Sequence, residues 1–252
     1  MDAGGRTVKL RLAYDGTDFH GWQRQNGLRS VQGCIEAALE KMHGHPVQLA
    51  GAGRTDSGVH AAGQAASFRS DIKNIETARF APALNSLLPQ DIRILEASPA
   101  SESFHARFDA KSRTYRYHFV CGRPALVQES RYVLQVRRRP CVQTLNAYCR
   151  EILGERDFSV FAAAGDSSKS ASRYVSRALF FQDADTLVFE ICANAFLWKM
   201  VRSITGTFLH CEEKQIPPQA LREIIASGKR SLCGPTLPPR GLFLWKVDYY
   251  RD

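Results

Sequence analysis

The chain has 252 residues, with 34 Lys and Arg against 25 Asp and Glu, a formal net charge of +9 and a pI near 9.4. A chain of this length can form a substantial hydrophobic core without disulfide or metal staples. The basic excess suggests a polyanionic partner and favours nucleic acid over a membrane surface.

Cysteine usage and hydropathy narrow the class further. The 7 cysteines form an odd set without a Cys-X-X-Cys pair or a Cys/His spacing typical of metal ligands, so structural zinc and a disulfide framework are both disfavoured. The sequence shows no apolar signal region and no apolar run long enough to span a membrane. We therefore expect a reduced, soluble, cytoplasmic protein with no metal.

The first half alternates strands and helices. A helix is predicted after Ser30, which is a suitable cap for apolar residues at helical spacing, and a second helix is predicted at 76–87. Strands are predicted at 7–14, 47–52, 65–69 and 91–97. The resulting order is the split βαβ pattern of ferredoxin-like and RNA-recognition folds.

The second half has a similar alternation. Helices are predicted at 142–153, 195–211 and 218–227, strands at 114–120, 174–181, 187–192 and 241–249, and a mobile Ala/Ser/Gly loop at 162–172. We predict an α+β fold of two related ferredoxin-like or RNA-recognition-like α/β modules, 1–105 and 106–252, which share an extended antiparallel sheet with a central basic cleft.

The segment Gly51–Ala61 places one carboxylate, Asp56, among glycines and close to Arg54. Glycine allows the backbone and a substrate to approach closely. A tight turn in which Asp56 caps its own backbone is the alternative interpretation.

The predicted helix at 195–211 carries Arg202 among mostly apolar residues. A buried guanidinium without a partner is costly, so a carboxylate or a cleft opening should meet it. Asp56 is the natural partner, and the pair would keep the carboxylate ionised as a nucleophile or base. An arginine that extends to the surface is the common alternative.

The predicted strand at 114–120 places Arg113, Tyr115 and Tyr117 on one face. Two aromatic rings and an arginine on one face are typical of a platform on which an unpaired base stacks. Either tyrosine taken singly is equally well explained as a core residue of an ordinary strand.

Several motifs follow one another in the order of a known family. They are Tyr14-Asp15-Gly16, Gly21 to Gln25, Gly53 to His60, Phe104 to Phe108, Tyr115-Arg116-Tyr117, Asn194-Ala195-Phe196 and Met200-Val201-Arg202. Together they resemble the tRNA pseudouridine synthase A family over residues 7–250. Residues 197–199 and Ser203 depart from the pattern of its best-known members, which leaves the preferred tRNA position open.

The resemblance implies an isomerase that converts uridine to pseudouridine at positions 38, 39 and 40 of the tRNA anticodon stem-loop. It implies catalytic roles for Asp56, Tyr115 and Arg202, and a base-flipping role for Arg54. Further substrate-binding candidates are His105, Arg107, Tyr117, Arg24 and Gln23. It also implies a homodimer that needs no cofactor and no metal.

Two other functions remain open from the residues alone. A noncatalytic RNA-binding protein or tRNA chaperone would use the same basic platform, with Asp56 and Arg202 as a structural ion pair. A metal-dependent nuclease would use Asp56 and His60, but this hypothesis is weaker because the loop lacks further acidic ligands.

Overall fold

The computed structural model describes residues 5–249, and the chain divides into two compact units. Unit 1 comprises Met1–Lys111 with Phe243–Asp252, and unit 2 comprises Ser112–Leu242. The predicted ranges 1–105 and 106–252 differ from these units, because residues 106–111 and 243–252 group with unit 1.

Unit 1 is a sheet with two helices. Its elements are β1 (Arg6–Tyr14), α1 (Val31–His43), β2 (Ala50–Gly51), β3 (His60–Ser70), a 3₁₀ turn (Thr77–Arg79), α2 (Phe80–Leu87), β4 (Ile92–Ala100) and the final strand β10 (Leu242–Tyr249). β1 pairs antiparallel with both β3 and β4, β2 pairs antiparallel with β3, and β10 runs parallel to β3.

The core of unit 1 follows from the periodicity of its sequence. Val8, Leu10 and Leu12 alternate along β1 and are fully buried, as a strand with one face on a core requires. α1 begins where Ser30 accepts a hydrogen bond from the N–H of Gly33 at 3.3 Å. The helix ends at Gly44 (φ 75°), a left-handed conformation that glycine adopts without steric cost.

Unit 2 has further strands and three helices. Its elements are β5 (Ala110–Cys121), β6 (Leu134–Val136), α3 (Val142–Glu151), β7 (Gly154–Asp157), β8 (Ser172–Asp183), β9 (Thr186–Ala193), α4 (Met200–Glu213) and α5 (Ala220–Ser227). β9 pairs antiparallel with β5 and β8, β7 pairs antiparallel with β8, and β6 runs parallel to β5. The strands of both units thus pair mostly antiparallel, and the predicted α+β class is confirmed.

The helix predicted at 195–211 begins later in the structure than expected. Residues 194–199 are irregular, and α4 begins only at Met200, because Lys199 adopts a left-handed conformation (φ 60°) that a right-handed helix cannot include. Arg202 therefore lies in the first turn of α4 rather than in its middle. No helix within residues 5–249 combines the length and the apolar character needed to cross a membrane.

Three short strands differ from the predictions. The strand predicted at 47–52 contracts to Ala50–Gly51, because only these residues pair with β3. The short strands β6 and β7 were not predicted. β7 contains no apolar alternation, since its sequence is Gly-Glu-Arg-Asp, and it is defined by its pairing with β8.

Candidate active site

Asp56 lies in an irregular loop, residues 52–59, between β2 and β3. The side chain of Asp56 is half-buried, Thr55 is buried and Arg54 is exposed. The N–H of Val59 donates to the carbonyl oxygen of Asp56 at 3.1 Å, which closes a tight turn. The backbone turn of the alternative interpretation is therefore present, with Asp56 as its first residue.

The loop is fastened to the segment that follows β1. The backbone N–H of Trp22 donates to the Thr55 carbonyl at 3.1 Å. The Phe19 carbonyl accepts two hydrogen bonds, one from the backbone N–H of Gly58 at 3.3 Å and one from the hydroxyl of Ser57 at 3.2 Å. These bonds come from residues on both sides of Asp56, so the position of its backbone is set by segments distant in sequence.

Two glycines allow this close approach. A Cβ atom at Gly16 would lie 2.0 Å from the carbonyl oxygen of Val59, and one at Gly21 would lie 2.6 Å from that of Thr55. Gly21 also has φ 89°, which other residues adopt only with strain. The motifs Tyr14-Asp15-Gly16 and Gly21-Trp22 therefore serve, at least in part, to support the loop that carries Asp56.

A hydrogen bond between two buried hydroxyl groups connects the same loop to β1. Tyr14 Oη and Thr55 Oγ1 lie 2.8 Å apart. Burial raises the pKa of Tyr14 well above its ordinary value, although the hydrogen bond to Thr55 lowers it in part. The phenol is therefore neutral at physiological pH. Its hydroxyl forms a hydrogen bond with Thr55, the residue that precedes Asp56.

Replacing Tyr14 with Phe should lower both stability and turnover. The lost hydrogen bond is worth about 1 kcal/mol of unfolding free energy, and looser positioning of Thr55 beside Asp56 should lower kcat by about tenfold. Tyr148→Phe is the matched control, because its buried hydroxyl donates to the Ile216 carbonyl at 2.5 Å in the core of unit 2. Chemical denaturation should show equal losses of unfolding free energy for the two variants. Turnover measurements should show a lower kcat for Tyr14→Phe and an unchanged kcat for Tyr148→Phe. Equal kcat values for the two variants would contradict the proposed support.

His60 holds the end of the loop. It is fully buried, its Nδ1 accepts the N–H of Gly16 at 3.1 Å, and the same atom lies 3.1 Å from Asp15 Oδ1. Its ring stacks on Phe243 with centroids 4.7 Å apart. These contacts give His60 a structural function, which weakens its assignment as a metal ligand. Within residues 5–249, no three His, Cys, Asp or Glu side chains are grouped as metal ligands.

The two tyrosines of β5 occupy different environments. Tyr115 is 8% exposed, and its ring meets Phe196 edge-on with centroids 5.0 Å apart. Tyr117 is fully buried, its hydroxyl donates to the Pro238 carbonyl, and burial raises its pKa. A stacking face made of both rings is therefore not supported, because Tyr117 has no surface open to a base.

Arg202 is oriented by a segment 35 residues further along the chain. Its Nε donates to the Leu237 carbonyl at 2.7 Å, and its own carbonyl accepts the N–H of Leu237 at 3.3 Å. A Cβ atom at Gly206 would lie 1.8 Å from the Pro235 carbonyl oxygen, so the segment lies directly against α4. The guanidinium therefore has a defined direction within unit 2.

The irregular stretch before α4 is well connected. Asn194 Oδ1 accepts the N–H of Tyr174 at 3.0 Å and that of Ala195 at 2.8 Å. The N–H of Ala163 donates to the Trp198 carbonyl at 2.9 Å, and Asp166 accepts the N–H of Trp198. The loop predicted at 162–172 is thus attached to the residues just before the helix of Arg202.

The remaining substrate-binding candidates lie in unit 1. Gln23 and Arg24 are exposed, and Arg24 lies 3.4 Å from Glu36. Arg107 is exposed, whereas His105 is half-buried and accepts the backbone N–H of Arg107 at Nδ1. The contribution of His105 seen here is structural, as a cap within its own turn.

The structure groups the predicted residues in two sets. Arg54 and Asp56 share one loop of unit 1, while Tyr115 and Arg202 belong to unit 2. The pairing of Asp56 with Arg202 joins residues of different units and stays a prediction. Sequence reasoning missed the supporting roles of Thr55 and Leu237, which carry no chemical signature of their own.

Comparison with known proteins gives a consistent result. A family model described as "tRNA pseudouridine synthase" matches residues 12–109 and 148–250. A tRNA pseudouridine synthase A of Treponema denticola is 50% identical, covering 98% of this chain and 94% of that one. The synthase of Treponema pallidum strain Nichols is 49% identical, covering 91% of this chain and 84% of that one. The synthase of Caldicellulosiruptor saccharolyticus is 40% identical, covering 97% of this chain and 100% of that one.

Proposed function

The chain belongs to the tRNA pseudouridine synthase family, and we propose that it isomerises uridine at positions 38, 39 and 40 in the anticodon stem-loop of tRNA. The enzyme is an isomerase that converts uridine to pseudouridine. The observation that carries the proposal is the loop at 52–59, which presents the half-buried carboxylate of Asp56 and is held by hydrogen bonds to the segment that follows β1.

The reaction exchanges one bond to the ribose for another. The bond between uracil N1 and ribose C1′ breaks, the uracil rotates while bound, and a bond forms between C5 and C1′. The proton at C5 is released and N1 takes up a proton, so that the product is an isomer of the substrate. Asp56 begins the reaction in one of two ways, as a covalent nucleophile or as a base that removes the C2′ proton to give a glycal intermediate. Neither route requires a metal or a cofactor.

Tyr115 and Arg202 complete the proposed catalytic set. Tyr115 stacks on the extruded uracil and assists removal of the C5 proton, while Arg202 holds Asp56 ionised and oriented. A guanidinium has five N–H donors, so the bond from Nε to Leu237 is compatible with a carboxylate partner at the other nitrogens. The fixed direction of this guanidinium supports the assignment.

The finer architecture is also a proposal. We propose that each unit derives from a ferredoxin-like module and that the two share an extended antiparallel sheet with a central basic cleft. The order β4-β1-β3 of unit 1, with β2 on β3, supports this because it is the strand order of a split βαβ fold. A cytoplasmic homodimer is proposed on the family resemblance alone.

Binding of tRNA should depend mainly on phosphate contacts. The net charge of +9 and the exposed arginines at positions 24, 54 and 107 favour a polyanion. The target base lies in or next to a paired stem, so it must be extruded at a cost of about a few kcal/mol. Arg54 is proposed to fill the space that the base leaves.

Replacing Arg54 with Ala should slow extrusion more than it weakens binding. We expect kcat to fall by about tenfold or more, with Kd for tRNA raised less than about threefold, because one phosphate contact contributes little to the whole. Arg11→Ala removes an exposed arginine that pairs with Glu96 and serves as the control. Single-turnover kinetics and equilibrium binding at fixed salt measure both effects. A loss confined to Kd would make Arg54 a plain phosphate contact.

The proposed function is tested with tRNA that carries tritium at uridine C5. Wild-type protein should release label from positions 38 to 40, and chelators should not change the rate. A protein that binds this tRNA but releases no label would be the noncatalytic RNA-binding protein considered above. Chelator-sensitive strand cleavage would point to the nuclease instead.

A further inference from the structure

A short turn between β4 and β5, residues 104–109, is closed by its own side chains. The carboxylate of Asp109 accepts the N–H of His105 at 2.7 Å, and the N–H of Asp109 donates to the His105 carbonyl at 3.1 Å. Nδ1 of His105 accepts the N–H of Arg107 at 3.1 Å. Three hydrogen bonds within so few residues hold the turn in one conformation.

The same turn is anchored to the sheet of unit 1. Ala106 is fully buried, its N–H donates to Ser67 Oγ at 3.1 Å, and its carbonyl accepts the hydroxyl of Tyr249 at 2.7 Å. Ala106 also packs in an apolar cluster with Ala52 and Ala65. The turn is therefore fixed to both β3 and β10.

This rigid turn exposes an aromatic ring. Phe108 is 76% exposed, whereas Tyr132, Tyr174 and Trp198 are 39%, 53% and 45% exposed. The Phe108 ring lies 4.3 Å from the ring of His105, and the guanidinium carbon of Arg107 lies 5.8 Å from its centroid. An exposed Phe beside a cation, on a backbone already ordered, can bind a flat ligand at little further entropic cost.

We infer that Phe108 stacks on an unpaired base of the tRNA, while Arg107 beside it contacts a phosphate. The inference rests on the proposed function and adds to it a recognition residue to which no role is assigned above. Stacking on an aromatic ring tolerates any base, since every base has a π face, and a neighbouring arginine adds charge attraction to the backbone.

RNA fits this surface better than a second copy of the chain does. A symmetric dimer interface contains the same patch of both copies, so it would enclose two Arg107 guanidinium groups. The net charge of +9 adds to that repulsion, whereas it attracts a polyanion. The occupant is therefore an unpaired nucleotide, and self-association is an outcome that the test must distinguish.

The test compares Phe108→Ala, Phe108→Tyr and the control Leu126→Ala. Leu126 is 61% exposed on another turn that a carboxylate closes, since its N–H donates to Glu129 at 2.8 Å. Equilibrium binding to tRNA and tritium release are measured at one salt concentration. Sedimentation gives the oligomeric state of each variant. Phe108→Ala should raise Kd and KM for tRNA by about tenfold, with kcat within about twofold of the wild-type value. Phe108→Tyr keeps an aromatic ring and should have the Kd and KM of the wild type, and Leu126→Ala should also match the wild type.

Two results would overturn the inference. One is an affinity for tRNA that Phe108→Ala changes no more than Leu126→Ala does. The other is a shift of Phe108→Ala to a smaller oligomer, which would mean that the ring covers a partner copy. Binding tests the ring independently of catalysis, so an absence of tritium release from wild-type protein would remove the proposed function without deciding the role of Phe108.

Discussion

Replacing Asp56 with Asn is expected to abolish release of tritium from tRNA while folding and tRNA binding are retained. The change removes the charge but keeps nearly the same volume, and the loop is still held by hydrogen bonds from Trp22, Ser57 and Gly58. A missing nucleophile or base costs at least about 10²-fold to 10⁴-fold in rate, so turnover should fall below detection.

The control for Asp56 is an equally conservative change at an exposed aspartate. Asp71 lies 3.0 Å from His45, both groups are about half exposed, and Asp71→Asn should leave turnover at the wild-type rate. Thermal unfolding, tRNA affinity and turnover are measured for both variants. If the loop had only a structural function, Asp56→Asn would lower the melting temperature and lose activity only in proportion to the unfolded fraction.

Replacing Arg202 with Met is expected to lower kcat by about a hundredfold or more, because the carboxylate of Asp56 would lose the charge that orients it. The structure adds a cost in stability. The Leu237 carbonyl loses the donor at 2.7 Å, which should lower the unfolding free energy by about 1–3 kcal/mol. Ser203→Ala is the control, because it removes the neighbouring contact to Thr236 at 3.4 Å and should leave kcat unchanged.

The proposed pairing of Asp56 with Arg202 is tested by combining milder changes. Asp56→Glu and Arg202→Lys each keep the charge and should retain measurable turnover. If the two groups act together, the double variant should lose less than the product of the single losses. Rates that multiply within experimental error would show that the two residues act independently.

Much of the fold could be predicted because its signals are local. Ser30 caps α1 and the apolar alternation of β1 is buried, since both depend on residues a few positions apart. The start of α4 could not be predicted, because the apolar residues at 196–198 continue the helical pattern while the backbone at Lys199 departs from it. Contacts from Tyr174, Ala163 and Asp166, distant in sequence, hold that stretch in place.

The sequence by itself determined the family, the candidate carboxylate and the basic charge that favours a polyanionic partner, because these depend on residue identity and spacing. Only the tertiary structure decided which side chains are accessible. It buried Tyr117 and left Phe108 exposed, although both are aromatic residues within the recognised motifs. It also directed Arg202 toward Leu237. Burial and long-range hydrogen bonds arise from packing between distant segments, and for that reason no local pattern specifies them.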